Sequence, residues 1–154
     1  MEVHSDWYNR IAKEISSRKD ALSRSEYKKY KLDLLLRLAK RVDSFSSICG
    51  ECQMSQQEIK SLTEDLGNLP MMSKEGRKSY FSTINNMVKH MQKHHKLINE
   101  GQNFGIWMAI GTGVGVAIGA GSDNVGAGMP IGLAIGIVIG GLMDAKAKRE
   151  GKVI

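Results

Sequence analysis

Two uncharged stretches near the C-terminus constrain this chain more than any other feature. From Phe104 to Gly121 it reads FGIWMAIGTGVGVAIGAG, and from Val125 to Met143 it reads VGAGMPIGLAIGIVIGGLM, runs of 18 and 19 residues. Each approaches the ~20 apolar residues that a helix needs to cross a bilayer. Ser122, Asp123 and Asn124 between them supply turn chemistry and the only charge. Of the 17 glycines, 13 lie between Gly101 and Gly141, and no Lys or Arg occurs from Leu97 to Ala145. The pattern predicts a transmembrane helical hairpin over residues 100–143, with spans at about 104–121 and 125–143.

Gly111, Gly115 and Gly119 recur every four residues, as do Gly128, Gly132, Gly136 and Gly140. That spacing puts each set on one face of a helix. In water each such glycine costs about 1 kcal/mol relative to Ala, whereas in lipid a stripe of small residues lets two backbones approach and gain dispersion. A flexible linker would be polar, and the residues between these glycines are Ile, Val, Ala, Leu and Met. Extended stripes on both helices, with Gly101, Gly105, Gly113, Gly121 and Gly141 as further small positions, predict homo-oligomers in which hairpins form a ring or tube, enclosing a channel. Thr112 is the one polar side chain in mid-span, and no ring of charge forms an ion filter.

Pro130 fits best in the first turn of a helix. The second helix then starts near Met129 and reaches only to Met143, about 21 Å, which is short for a bilayer. A tube or stalk partly buried in protein is the alternative architecture. Lys96 before the first span, and Lys146, Lys148, Arg149 and Lys152 in a basic tail over residues 144–154, place both termini in the cytoplasm by the positive-inside rule. Trp107 suits that interface.

These residues, with the upstream Cys49-Gly50-Glu51-Cys52 and the helix after it, resemble small prokaryotic glycine-zipper membrane proteins. The resemblance covers roughly residues 45–154, and the last 50 are its most specific part. It implies membrane association and helix packing, and it supplies no catalytic residues.

Residues 1–99 read as an all-α cytoplasmic domain, because apolar residues follow the helical period and no strand-like alternation occurs. Helices are predicted at about 6–21, with Trp7, Ile11 and Ile15 on one face, at 25–46, at 55–66 and at 73–99. Ser23 and Glu26 have capping-box spacing, as do Ser55 and Glu58. Asn68, Leu69 and Pro70 break the chain. The result is a small helical bundle that gains from oligomerisation or a metal. The N-terminus lacks the apolar core of a signal peptide, which again points to the cytoplasm.

The net charge of +6 is spread among acidic residues, and aromatics are only 6%. Nucleic acid is therefore not an expected partner, and Lys28, Lys29, Lys31, Arg37, Lys40 and Arg41 read as a solvated helix face. Cys49 and Cys52 are the constellation with chemistry. A thiol–disulfide reading lacks the thioredoxin-like setting. A zinc reading uses His90 and His94, four apart on one helix, because folding about residues 68–73 brings His90 level with Cys52; four such ligands make a closed tetrahedral site. The plain alternative is two small buried cysteines with surface histidines near lipid headgroups. His4 has no evident partner.

No nucleophile–base pair, carboxylate pair or phosphate loop is evident, so no enzyme is expected. The leading expectation is a homo-oligomeric membrane ring or tube below the helical domain. The second is a membrane anchor or scaffold that recruits a cytoplasmic protein or a lipid-soluble molecule.

Overall fold

A computed structural model describes residues 5–19 and 22–154. His4 and the expected helix end at Ala21 lie outside them. The described residues are helical throughout, with no strand beyond one isolated bridge, and the chain divides into two compact units, one ending at His95 and the other spanning Lys96–Val153.

In the first unit, α1 (Asp6–Lys19) buries Ile11 and Ile15, one turn apart, while Trp7 on the same face stays partly exposed. α2 (Arg24–Lys29) opens with the predicted capping box. Ser23 Oγ accepts from Glu26 N at 3.2 Å, and the Glu26 carboxylate accepts from the Ser23 hydroxyl at 2.7 Å and from Ser23 N at 3.0 Å, which hold the Glu26 carboxyl below its usual value. The single helix expected over 25–46 is in fact two. Lys31 takes a left-handed conformation, φ 55°, and α3 (Leu32–Phe45) starts afresh. The break lets Tyr30 and Leu32 both point inward, and the Tyr30 carbonyl accepts from Tyr80 Oη at 3.0 Å. α3 then buries Leu35, Leu38, Ala39 and Val42 at spacings of three and four.

α4 (Gly50–Glu64) begins five residues before the expected start at Ser55. Cys49 is its N-cap, with Sγ accepting from Cys52 N at 3.4 Å, and Ser55 is buried in the helix interior. A 3-10 turn at Asp65–Asn68 precedes Pro70 and reverses the chain. α5 (Lys74–His95) buries Tyr80, Ile84, Met87, His90 and Met91. It stops four residues short of the expected Asn99, because Lys96 is left-handed, φ 55°, and the chain beyond it turns to other partners. The core of this unit is Leu35, Leu38, Val42, Ile59, Ile84 and Met91, all with no exposed surface.

The second unit is an antiparallel helical hairpin, α6 (Gln102–Gly121) and α7 (Val125–Arg149). At 1.5 Å per residue they measure about 30 and 37 Å. Both are long and apolar enough to cross a membrane. Pro130 does not shorten α7, which starts at Val125 under an Asn124 side-chain cap. The proline removes one donor, to the Gly126 carbonyl, near the helix start. Nor do residues 144–154 form a separate tail. α7 continues to Arg149, Ile98 N donates to the Lys152 carbonyl at 2.8 Å, and Lys148 pairs with Glu100 at 2.7 Å.

Asp144, in the extended part of α7, ties it to the start of α6. Its carboxylate accepts from Asn103 N at 3.2 Å and from Phe104 N at 3.0 Å, two donors of the first turn of α6, which has no side-chain cap of its own. A carboxylate at a helix N-terminus also meets the positive end of the dipole. Asp144→Ala should destabilise the hairpin by about 1–2 kcal/mol, read from the midpoint of its unfolding in mixed detergent, and Asp144→Asn should cost less because the amide oxygen still accepts.

Candidate functional site

The N-terminus of α4 and the C-terminus of α5 meet, and four of the molecule's softest donors meet with them. Cys49, as N-cap, and Cys52, one turn on, point to the same side. His90 Nε2 lies 3.4 Å from both sulfurs, and His95 Nε2 lies 3.2 Å from Cys52 Sγ. All four ligand atoms fall within 4.8 Å of one another. Zinc bonds of ~2.3 Å to sulfur and ~2.0–2.1 Å to nitrogen in a tetrahedron put neighbouring donors about 3.6 Å apart, so the three contacts of 3.2–3.4 Å are close to the spacing that a zinc ion would set.

The fourth ligand differs from the sequence expectation, with His95 taking the place of His94. His95 is the last residue of α5, where the helix ends and its ring is free to turn inward. The Phe45 ring stacks on it at 3.9 Å between centroids and holds it there. His94 points to the other side of His90, its ring stacked on His90 at 4.9 Å, and forms a second group with Glu51.

The electrostatics suit a metal better than a redox dithiol. Burial, followed by the neighbouring Cys49 and Glu51, pushes the Cys52 thiol up to about 12. A reactive dithiol needs the opposite shift, whereas a metal displaces the proton outright. Burial, reinforced by His90 and His94, lowers the His95 pKa below its ordinary value. The neutral ring that results is the form that ligates. An ion held by all four side chains would have no position open for substrate, the arrangement of a structural rather than a catalytic site.

The helix-packing glycines occupy the seam of the hairpin. A Cβ added at Gly115 would lie 2.5 Å from the Gly128 carbonyl oxygen and 2.9 Å from Gly132 Cα; one at Gly119 would lie 2.8 Å from Val125 Cα. Gly111 faces Gly132 and Gly136 in the same way, Gly128 faces Gly119, and Gly140 faces Phe104, with a Cβ there only 2.7 Å from Phe104 Cα. The obstacles are backbone atoms, so only glycine permits this approach. Around the seam, Ile106, Ile110, Val114, Ile118, Ile131, Ile135, Val138 and Leu142 are exposed. Thr112 satisfies its hydroxyl on the Met108 carbonyl at 2.8 Å.

In the sequence, His95 is only the neighbour of the His90–His94 pair and offers no periodic cue of its own, and Asp144 reads as part of a charged tail. Comparison with protein-family models, curated proteins and solved structures finds no match.

Proposed function

We propose that this protein is a membrane-anchored scaffold: the α6–α7 hairpin crosses the bilayer as a self-contained pair and tethers a helical unit braced by one zinc ion. The observation that carries this reading is the pairing of the glycine faces within one chain. Because they are spent on each other, the outward surface of the hairpin is aliphatic, which is what lipid accepts. The basic residues of the last turn of α7 lie beside the start of α6, so both ends of the hairpin sit on one face of the membrane, the cytoplasmic one by the distribution of Lys and Arg. The zinc joins the two helix ends at the CxxC, and Ile48 and Met54, both exposed beside it, offer an apolar surface to a protein or lipid-soluble partner.

A homo-oligomeric ring or tube is the second reading. Gly105, Gly113, Gly121 and Gly141 have open space where a Cβ would stand. In lipid, outward glycines leave gaps that helices of neighbouring chains fill. Native mass of the detergent-extracted protein separates the two. The anchor predicts a single chain carrying one zinc, whereas a fixed assembly of several chains would replace it with the ring.

A further inference from the structure

His90 belongs to two clusters at once. Its Nε2 faces the two sulfurs, while its Nδ1, on the other edge of the ring, lies 2.9 Å from Glu51 Oε2. That contact is not an aligned hydrogen bond. Nδ1 is buried without a hydrogen-bond partner, in a side chain only 6% exposed. His94 stacks over the same ring with 21° between the planes, and the donor atoms of Glu51, His90 and His94 all lie within 4.8 Å of one another. The inner ligands are buried or half-buried, but Glu51 and His94 are exposed, Glu51 at 59%. One carboxylate and two imidazoles are donors suited to divalent zinc, copper, nickel or cobalt.

We propose that Glu51, His90 and His94 form an outer landing position for a divalent transition metal, from which the ion passes to the Cys49–Cys52–His90–His95 position. The inference rests on the inner zinc reading. A neutral imidazole has one lone pair and one N–H, so His90 serves one position at a time. With the ion outside, Nδ1 ligates and Nε2 carries the proton. On transfer the ring proton moves to Nδ1, beside the Glu51 carboxylate that accepts it as a hydrogen bond, Nε2 takes the metal, and the two thiol protons leave to water. The exposed carboxylate captures the hydrated ion; the thiolates, softer and drier, hold it more tightly.

The test mixes the full-length, metal-free protein in detergent with cobalt(II) alone and follows absorbance. Cobalt bound by nitrogen and oxygen is expected first, sulfur-to-cobalt charge transfer second, with one cobalt per chain at the end. In the Glu51→Gln/His94→Ala double variant the first phase should vanish and the sulfur band should rise about tenfold more slowly. A double variant that loads at the wild-type rate would overturn the proposal. So would a weaker final affinity at an unchanged rate, which would make Glu51 a positioning residue for His90, and so would two cobalt ions per chain. A sulfur band missing from both proteins would overturn the inner site itself, and the transfer with it.

Discussion

Gly115→Leu is expected to break the hairpin, with a loss of more than about 3 kcal/mol in its unfolding in mixed detergent. The added side chain meets the Gly128 carbonyl and Gly132 Cα, and neither can rotate away as a side chain would. The helices must separate, and every dispersion contact along the seam weakens together. Gly113→Leu, two residues away, enters open space and should change stability by less than about 0.5 kcal/mol. The two variants also test the choice between anchor and ring. Gly115→Leu damages the single chain under either reading, because its obstacle lies within the chain; only if neighbouring chains use the outward glycines should Gly113→Leu disperse an assembly while leaving the hairpin intact.

The second large effect concerns the metal. Chelation should lower the thermal midpoint of the helical unit by roughly 10–20 °C, because zinc at a hundredfold over its dissociation constant supplies about 2.7 kcal/mol and a unit of this size shifts several degrees per kcal/mol. Cys52→Ser and His95→Ala should each abolish the zinc dependence and return metal-free protein on native mass measurement. His94→Ala should keep both the bound zinc and the midpoint. Equal loss in the His94 and His95 variants would restore the pairing expected from helical periodicity, and a midpoint indifferent to chelation would leave the cysteines as ordinary core residues.

The parts of the molecule that follow from repetition were legible in the sequence. Glycine at every fourth position predicts a face, and both apolar runs became helices with those faces opposed. The Ser23–Glu26 cap was legible too, because a hydroxyl and a carboxylate three residues apart satisfy the same backbone donors wherever they begin a helix. Ser55 and Glu58 have the same spacing and cap nothing. Burial of Ser55 inside α4 serves the core, and the cap passed to Cys49, a residue whose sulfur is a weak acceptor. The break at Lys31 left no Gly or Pro to announce it, since it is dictated by the need to bury Tyr30 and Leu32 together. Similarly, i, i+4 spacing selects His94, but α5 stops at His95 and the terminal ring is steered by Phe45 from a different helix. Asp144 was hidden for a related reason: its value depends on two amides 40 and 41 residues earlier in the chain.

The shortness of the connection between α6 and α7 bears on how the hairpin enters a membrane. Only Ser122, Asp123 and Asn124 separate the helices, and the Ser122 hydroxyl and the Asn124 side chain already hold partners within the hairpin. For a chain that crosses and returns, the cargo to be delivered to the far side is therefore three residues with one carboxylate, which at its deepest point costs about 2.5–3.5 kcal/mol by insertion scales. Against that stand two helices' worth of aliphatic surface. Under the anchor reading, such a hairpin would enter tip first, both helices together.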